Sequence, residues 1–447
     1  MGAIAVIRLS GAKAIEIADQ IFEAKKKGVR LSNVDSHTLH FGMIKKGEEM
    51  LDEVLISVFK APNSYTGENV IEISCHGSIF IQQQILSLCH AQGARYAQAG
   101  EFTLRAFLNR KLDLSQAEAV ADLIASESAG SHKLAIEQMR GGFSAEIGML
   151  RMELINFASL IELELDFAEE DVEFANRKDL KETIVRLQTY ISRLIESFDL
   201  GNVIRNGIPV VIAGKPNVGK STLLNALLNE DRAIVSEFAG TTRDTVEEEI
   251  TLGGFNFRFI DTAGIRETKD AIESIGVSKT FEKMKQSPVV LYLFDLHETG
   301  AGDLRQELDA IKKDLKTEIR LFPIGNKSDK ENSKKIQSEF GNFEHITFIS
   351  AKEKINIESI VALLLSFVES GKLSHNNSII TNVRHLQELR ETAQALTSVY
   401  NGLEQNVTND FIAGDLRLAL HHLGLITGAI TTDDLLDNIF SKFCIGK

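Results

Sequence analysis

The eight residues Gly214-Lys215-Pro216-Asn217-Val218-Gly219-Lys220-Ser221 constrain this chain more than any other segment. They fit G-x-x-x-x-G-K-[ST], follow the apolar run Pro209–Ala213 and precede the helix-like stretch Thr222–Leu228. Strand, glycine loop and helix in that order are the setting the motif needs. Its backbone N–H groups turn inward around phosphate oxygens, and the helix N-terminus adds its positive dipole end. In that setting Lys220 can reach the outer phosphates and Ser221 can hold Mg²⁺. An ordinary glycine turn is the bland alternative, and the motifs downstream argue against it.

Residues 240–244, Gly-Thr-Thr-Arg-Asp, lie between the loop and the next strand, where a threonine can close over a γ-phosphate and its Mg²⁺. Asp261-Thr262-Ala263-Gly264 follows the apolar strand Phe257–Ile260. There the aspartate can hold the Mg²⁺ shell, and the glycine N–H can bond the γ-phosphate. Asn326-Lys327-Ser328-Asp329 follows Leu321–Ile324. Its carboxylate can accept from the ring N–H and exocyclic amine of guanine, a donor pair adenine lacks, so this group selects GTP over ATP. Ser350-Ala351-Lys352, after Ile346–Ile349, can add a backbone donor to the guanine carbonyl. Motifs in this order predict a GTP-hydrolysing domain built on a parallel sheet with helices on both faces, its ligand at the strand C-terminal ends. After D-x-x-G, many small GTPases carry a glutamine that orients water. Ile265 stands there and cannot do so, which leaves Glu267, Asp270 and Glu273 as the nearby acidic candidates.

At 447 residues the chain has room for several domains. Its net charge of −14 disfavours broad electrostatic capture of nucleic acid, so an RNA substrate would need a local basic patch or a partner. Cys75, Cys89 and Cys444 form no C-x-x-C pair and fit a reducing, cytoplasmic setting. No apolar run approaches the ~18 residues of a membrane span. Cys444 stands where prenylation needs it, but a terminal lysine is not a usual last residue for that signal.

Residues 1–112 alternate short apolar runs and turns. They read as strands at Ala3–Leu9, Leu39–Ile44, Val54–Phe59 and Val70–Ser74, with helices at Lys13–Ala24 and Ile79–Ala91. From Ser115, paired with Glu118 as a capping box, the period becomes helical, with Ala117, Val120, Ala121 and Ile124 on one face. Ile184, Leu187, Ile191, Leu194 and Phe198 step by three and four, as do Leu386, Leu389, Ala393, Leu396 and Tyr400 beyond the nucleotide motifs. The expected order is therefore an α+β domain (1–112), a helical domain in two parts (113–205 and 371–447) and an inserted α/β P-loop, Ras-like domain (206–370). Gly201, Gly207 and Ser374–Ser378 are the expected junctions. The acidic run Asp166–Glu173 reads as a solvated loop.

Nearly the whole chain, from Ile4 to Lys447, resembles the MnmE (TrmE) family of bacterial tRNA modification GTPases. The resemblance rests on Ala5–Gly11 (AVIRLSG), Pro62–Glu68 (PNSYTGE), Gly100–Asn109 (GEFTLRAFLN), Lys111–Ala119 (KLDLSQAEA) and the tail Cys444-Ile445-Gly446-Lys447. It implies a folate-binding-like N-terminal domain that dimerises, a helical domain and an inserted GTPase domain. It also implies a flavoprotein partner, MnmG with FAD, in a heterotetramer or larger complex. The pair would act on the wobble uridine of certain tRNAs, with a 5-formyl- or methylene-tetrahydrofolate supplying carbon. The family's GTPase domains pair across the nucleotide face with K⁺ where an arginine finger would stand.

By position, the resemblance makes Asn217, Ser236, Phe238 and Thr241 the K⁺ ligands, and Ser221 and Thr242 the Mg²⁺ ligands. Glu273 becomes the water-positioning residue; without the resemblance it reads as a solvated helix residue. Val218, Gly219, Lys220, Thr222, Glu237, Ala239 and Gly240 complete the nucleotide contacts. Arg8, Glu72, Lys111 and Lys447 become folate contacts, and Cys444 a candidate for modification chemistry. The family usually has a further strand and a Pro/Gly-rich turn before the Arg8 segment, whereas this chain opens at Met1-Gly2-Ala3-Ile4. That difference bears on folate binding and N-terminal dimerisation and leaves the GTPase domain untouched. A ribosome-assembly GTPase binding rRNA is the alternative, and it usually carries a second GTPase domain or an RNA-binding appendage.

Overall fold

A computed structural model describes residues 2–166, 177–229, 234–235, 247–261, 281–285, 287–315, 319–330, 338–341, 343, 346–370, 379–405, 407–443 and 446. The chain divides into two compact units, one made of 1–124, 137–187 and 391–447, the other of 125–136 and 188–390.

The first unit opens with β1 (Ile4–Ser10), α1 (Ala14–Ile21), β2 (Phe22–Ala24), β3 (Thr38–Lys46), β4 (Glu49–Phe59), β5 (Val70–His76) and α2 (Ile79–Ala91). The strands form an antiparallel sheet in the order β1-β5-β4-β3-β2. Period-two alternation sends Val54, Ile56, Val58, Ile71, Ile73 and Cys75 to one face, where Ile15, Ile17 and Ala18 of α1 and Ile85 and Cys89 of α2 cover them. The expected helix Lys13–Ala24 stops at Ile21, because Phe22, Glu23 and Ala24 pair with Ile44, Met43 and Gly42. A partner strand some twenty residues away overrides the local helical period here.

Helices α3 (Glu101–Leu108), α4 (Leu114–Ile124), α5 (Ala129–Met139), α6 (Gly142–Asp166) and α7 (Arg177–Asn206) follow. The capping box at the start of α4 lies two residues before the expected Ser115/Glu118 pair. The Asp113 N–H donates to Gln116 Oε1 and the Gln116 N–H to Asp113 Oδ1, both at 2.9 Å. Ser115 is instead buried inside the helix, 2.6 Å from the Ser144 hydroxyl. Ile124, placed on the inward face, is 45 % exposed. Gly201 is no junction: it lies within α7, where the Ile380 backbone packs against it. Gly207, at φ +81°, does separate α7 from the next strand.

The second sheet contains β6 (Ile208–Ala213), which is followed by α8 (Lys220–Leu228). Next come β7 (Ile234–Val235), β8 (Glu247–Leu252), β9 (Phe255–Asp261), β10 (Val289–Asp295), α9 (Ala301–Asp314), β11 (Arg320–Asn326), β12 (Thr347–Phe348) and α10 (Ile357–Ser370). The strand order is β12-β11-β10-β6-β9-β8-β7; the first five run parallel, and β8 pairs antiparallel with both β9 and β7. All seven residues of β10, Val-Val-Leu-Tyr-Leu-Phe-Asp, are buried, as a central parallel strand covered on both faces requires. Val289, Leu291 and Leu293 pack with α8 and α10, while Val290, Tyr292 and Phe294 pack with Leu304, Leu308 and Ile311 of α9.

The chain ends in α11 (Val383–Glu404), α12 (Asn409–Thr427) and α13 (Asp433–Phe440). On α7, Ile184, Leu187, Ile191 and Leu194 are buried as their spacing predicts. The buried stripe of α11 runs through Thr392, Ala395, Leu396, Val399 and Leu403, leaving Ala393 and Tyr400 at its margin. In the first unit α12 lies along α6. Arg417 Nε donates to Glu162 at 2.8 Å, and Arg177 and Asn409 both donate to the buried carboxylate of Glu164. Most of Asp166–Glu173 and all of Ser374–Ser378 lie outside the described residues.

Candidate nucleotide site

The phosphate loop joins the C-terminal end of β6 to the first turn of α8. Gly214, Asn217 and Gly219 have φ of +146°, +63° and +101°. Both glycines are steric requirements as well as conformational ones. A Cβ on Gly214 would fall 2.1 Å from the Leu293 carbonyl oxygen, and one on Gly219 would fall 2.3 Å from Asn326 Nδ2. Asn217 tolerates the left-handed region as few other side chains do. The Lys220 ammonium donates to the Gly214 and Lys215 carbonyls at 2.9 Å, which folds it back over the loop. Ser221 and Thr222 are exposed in the first turn of α8, and Val218 is buried beneath the loop.

Asn326 is the link between the two halves of the site. It ends β11, is 3 % exposed, donates from Nδ2 to the Val218 carbonyl at 2.8 Å and accepts from the Ala351 N–H at 2.9 Å. Lys327 sits at φ +66°. Its ammonium lies 2.5 Å from Asp295, a buried carboxylate at the end of β10 that also accepts from the His297 N–H. Burial works to raise the Asp295 pKa, but Lys327 and His297 outweigh it and hold it below the ordinary value. Asp329 accepts from the Ser350 hydroxyl at 2.5 Å, which lowers its pKa. The Ser328 N–H reaches the Ile349 carbonyl, and Ser350 bridges to Ile355. Lys352 is exposed beside Glu353.

Asn217–Thr222, Asn326–Asp329 and Ser350–Lys352 therefore converge at the C-terminal ends of β6, β11 and β12. Asp261 closes β9 at the same end of the sheet. Ser236, Glu237, Phe238, Ala239, Gly240, Thr241, Thr242, Thr262, Ala263, Gly264 and Glu273 lie outside the described residues, as do Ile265, Glu267 and Asp270.

Sequence reasoning did not find Asp295 or Glu307. Glu307, on α9, pairs with Lys215 of the phosphate loop and accepts from the buried Tyr292 hydroxyl at 2.7 Å. That carboxylate raises the Lys215 pKa. For Asp295 a signal existed, an acid at the C-terminal end of a wholly apolar strand, but no motif contains it.

In the first unit a cavity of about 710 Å³ is lined by Arg8, Ser10, Lys13, His90, Phe102 and Arg105 among others, and by Gly446. Arg8 makes two bonds to Glu72 Oε1, at 2.7 and 2.9 Å, and one to the Gly446 carbonyl at 3.4 Å. Its guanidinium faces the rings of Tyr65 and Phe102. Lys111 donates to the Pro62 carbonyl at 3.2 Å. Cys444 and Lys447 lie outside the described residues.

A doubly wound sheet with a glycine phosphate loop, a buried asparagine linking that loop to Ala351 and an exposed aspartate one turn on defines a P-loop GTPase. Comparison with known proteins goes further. The family "GTP-binding protein TrmE N-terminus" matches residues 1–111 and "MnmE helical domain" matches 114–444. The protein named tRNA modification GTPase MnmE from Flavobacterium psychrophilum is 57% identical, covering 100% of this chain and 96% of its own length. Those of Christiangramia forsetii and Bacteroides fragilis are 54% and 49% identical over the whole of this chain and 97% of theirs. Among solved structures, an Aquifex aeolicus Era variant with GDP·AlF4⁻ aligns at 28% identity, over 42% of this chain and 66% of its own, with a TM-score of 0.28. The Thermotoga maritima FeoB G domain aligns at 22%, over 36% and 98%, with a TM-score of 0.26. The chain belongs to the MnmE family of tRNA modification GTPases, enzymes that hydrolyse GTP. Among the described residues no helix is long and apolar enough to cross a membrane.

Proposed function

We propose that this GTPase drives conformational steps in modification of the wobble uridine of tRNA, working in the cytoplasm as a homodimer with the flavoprotein MnmG. The carrying observation is the Asn326 link, which ties the phosphate loop at Val218 to the Ser350–Lys352 segment at Ala351 and so supports reading the two as one guanine-nucleotide site. Asp329, held ionised by Ser350, selects guanine; the loop N–H groups and Lys220 take the phosphates. The division 1–112, 113–205, 206–370 and 371–447 is the domain reading that fits this role.

The donors fit hard cations, being side-chain hydroxyl and amide oxygens and, at Phe238, the backbone carbonyl alone. Ser221 and Thr242 would hold Mg²⁺, while Asn217, Ser236, Phe238 and Thr241 would hold K⁺. A K⁺ bound there would offset charge developing at the bridging oxygen, the part an arginine finger plays elsewhere. Glu273 takes the water-positioning role that Ile265 cannot. In the N-terminal domain, Arg8 and Glu72, with Tyr65 and Phe102 beside them, suit a flat heteroaromatic ring with carboxylates, as in a one-carbon tetrahydrofolate. Lys111 and Lys447 would complete that site, and Cys444 would serve the modification chemistry.

Steady-state GTP hydrolysis in KCl and in NaCl at equal ionic strength tests the mechanism, with wild type and Glu273→Ala. Strong K⁺ stimulation that the variant loses supports it. Equal rates in the two salts would remove K⁺ from the site.

A further inference from the structure

An acidic chain that acts on tRNA needs a local place for phosphate. In the whole sequence only one six-residue window holds four cations: Lys25-Lys26-Lys27-Gly28-Val29-Arg30, with no acid among them. All four cationic residues are exposed or half-exposed. The run leaves β2 at the edge of the N-terminal sheet, where the Lys25 N–H donates to the Phe41 carbonyl at 3.0 Å, and turns back through a bond from the Val29 N–H to the Lys26 carbonyl.

Neighbouring acids pair with one of its four cations and leave three. Glu23 pairs with Lys45, Glu53 with Lys25 at 3.9 Å, and the Asp19 carboxylate accepts from the Leu31 and Ser32 N–H groups. Lys26, Lys27 and Arg30 have no ion pair among the described residues. Lysines on an edge strand often serve only to block sheet-to-sheet pairing. These three lie in the turn beyond the strand, so they do not guard its edge.

Beside the run, the face of the sheet turned away from α1 and α2 exposes Leu39 (59 %), Phe41 (45 %) and Leu55 (40 %). Phe41 and Leu55 are register partners, and the Lys25 ammonium lies 5.8 Å from the Phe41 ring centre. Cations bordering an exposed aromatic on a sheet is the chemistry that holds unpaired nucleotides: phosphates on the cations, a base on the ring.

We infer that the 25–30 turn and Phe41 form a docking surface for an unpaired stretch of RNA, a loop of the tRNA substrate. This rests on the tRNA reading above. Lys26, Lys27 and Arg30 neutralise backbone phosphates, and Phe41 stacks one splayed base.

The test uses the full chain and an unmodified tRNA transcript, followed by fluorescence anisotropy across about 0.05 to 0.3 M KCl. The triple variant Lys26→Gln, Lys27→Gln, Arg30→Gln is expected to bind at least about tenfold more weakly near 0.1 M salt, with a log–log salt slope smaller by about 2 to 3. Phe41→Leu is expected to cost roughly tenfold at unchanged slope, and to cost nothing with a fully paired RNA duplex. Basal GTP hydrolysis and thermal unfolding stay at wild-type values in both, which establishes that they fold. If wild type binds tRNA and the triple variant matches it in affinity and slope, the docking surface is wrong while the tRNA reading stands. If wild type binds no RNA, the tRNA reading fails and takes the surface with it. Retained RNA binding with loss of the dimer, or of an acidic protein partner, would overturn the inference and assign this face to protein.

Discussion

Asn326 holds the Val218 carbonyl at 2.8 Å, so the end of β11 and the phosphate loop move as one. The same side chain takes the Ala351 N–H, and it is almost wholly buried. Truncating it strands a buried acceptor and a buried donor, a cost of roughly 1–3 kcal/mol for each group left unpaired. Asn326→Ala is therefore expected to weaken GDP and GTP binding alike, by at least about tenfold. Titration with a fluorescent guanine nucleotide decides it; unchanged GDP affinity would sink the idea that this amide assembles the site.

Asp295 and Lys327 give a second prediction. Replacing the Asp295 carboxylate with a neutral amide leaves Lys327 without its buried counter-charge and frees its stem to move. Asp295→Asn should raise the dissociation constants of GTP and GDP by the same factor, about 5- to 30-fold, with kcat at saturating GTP unchanged. In a Lys327→Met background the same substitution should add almost nothing, since the two residues act as a pair. Additive losses in the double variant would place the role of Asp295 elsewhere.

Acid stability should report on Glu101. Its carboxyl is pulled from the ordinary 4.5 down to about 2, first by its bond to Arg95, against burial, with further help from the Gln98 N–H and Arg105. A depressed carboxyl contributes stability above its unfolded pKa and loses it as pH falls through the folded one. Glu101→Gln should thus lower the urea midpoint at pH 7 by the equivalent of roughly 1–3 kcal/mol. The gap to wild type should shrink between about pH 4.5 and 2. A gap that stays constant with pH would mean the loss is packing, not charge.

Two glycines inside helices should respond in opposite senses to alanine. Gly148 in α6 is exposed, with nothing within 4 Å of an added Cβ, so Gly148→Ala should stabilise by about 0.5–1 kcal/mol. At Gly201 in α7 the same methyl would sit 2.1 Å from the Ile380 carbonyl oxygen. Overlap with backbone costs about 1–3 kcal/mol and outweighs the helical gain, so Gly201→Ala should lower the melting temperature. Thermal unfolding of both variants separates propensity from packing.

The nucleotide site was legible because its motifs are local: each follows its own strand, and the loop geometry is encoded in Gly214, Asn217 and Gly219. What escaped the sequence depends on distant chain. Phe22–Ala24 looked helical because Gly42–Ile44 was not known to lie beside them. Ser115 looked like a cap, yet its hydroxyl meets Ser144 while Asp113 and Gln116 cap the helix. Asp295 and Glu307 have meaning only through Lys327 and Lys215, which pairing across the sheet and onto α9 brings near. Gly201 read as a break because its neighbour, the Ile380 backbone, comes from a segment nearly two hundred residues on.

The bonds from Asn409 to Glu164 and from Arg417 to Glu162 span 245 and 255 residues of chain. On the ribosome, α6 is finished long before the α12 that covers it. At about 5–20 residues per second, its apolar stripe of Ile147, Leu154, Ala158 and Ile161 waits roughly ten to fifty seconds for a partner. Early termination inside the nucleotide region would leave that stripe uncovered for good, so truncated products of this gene should be targets for chaperones and proteases rather than free half-proteins.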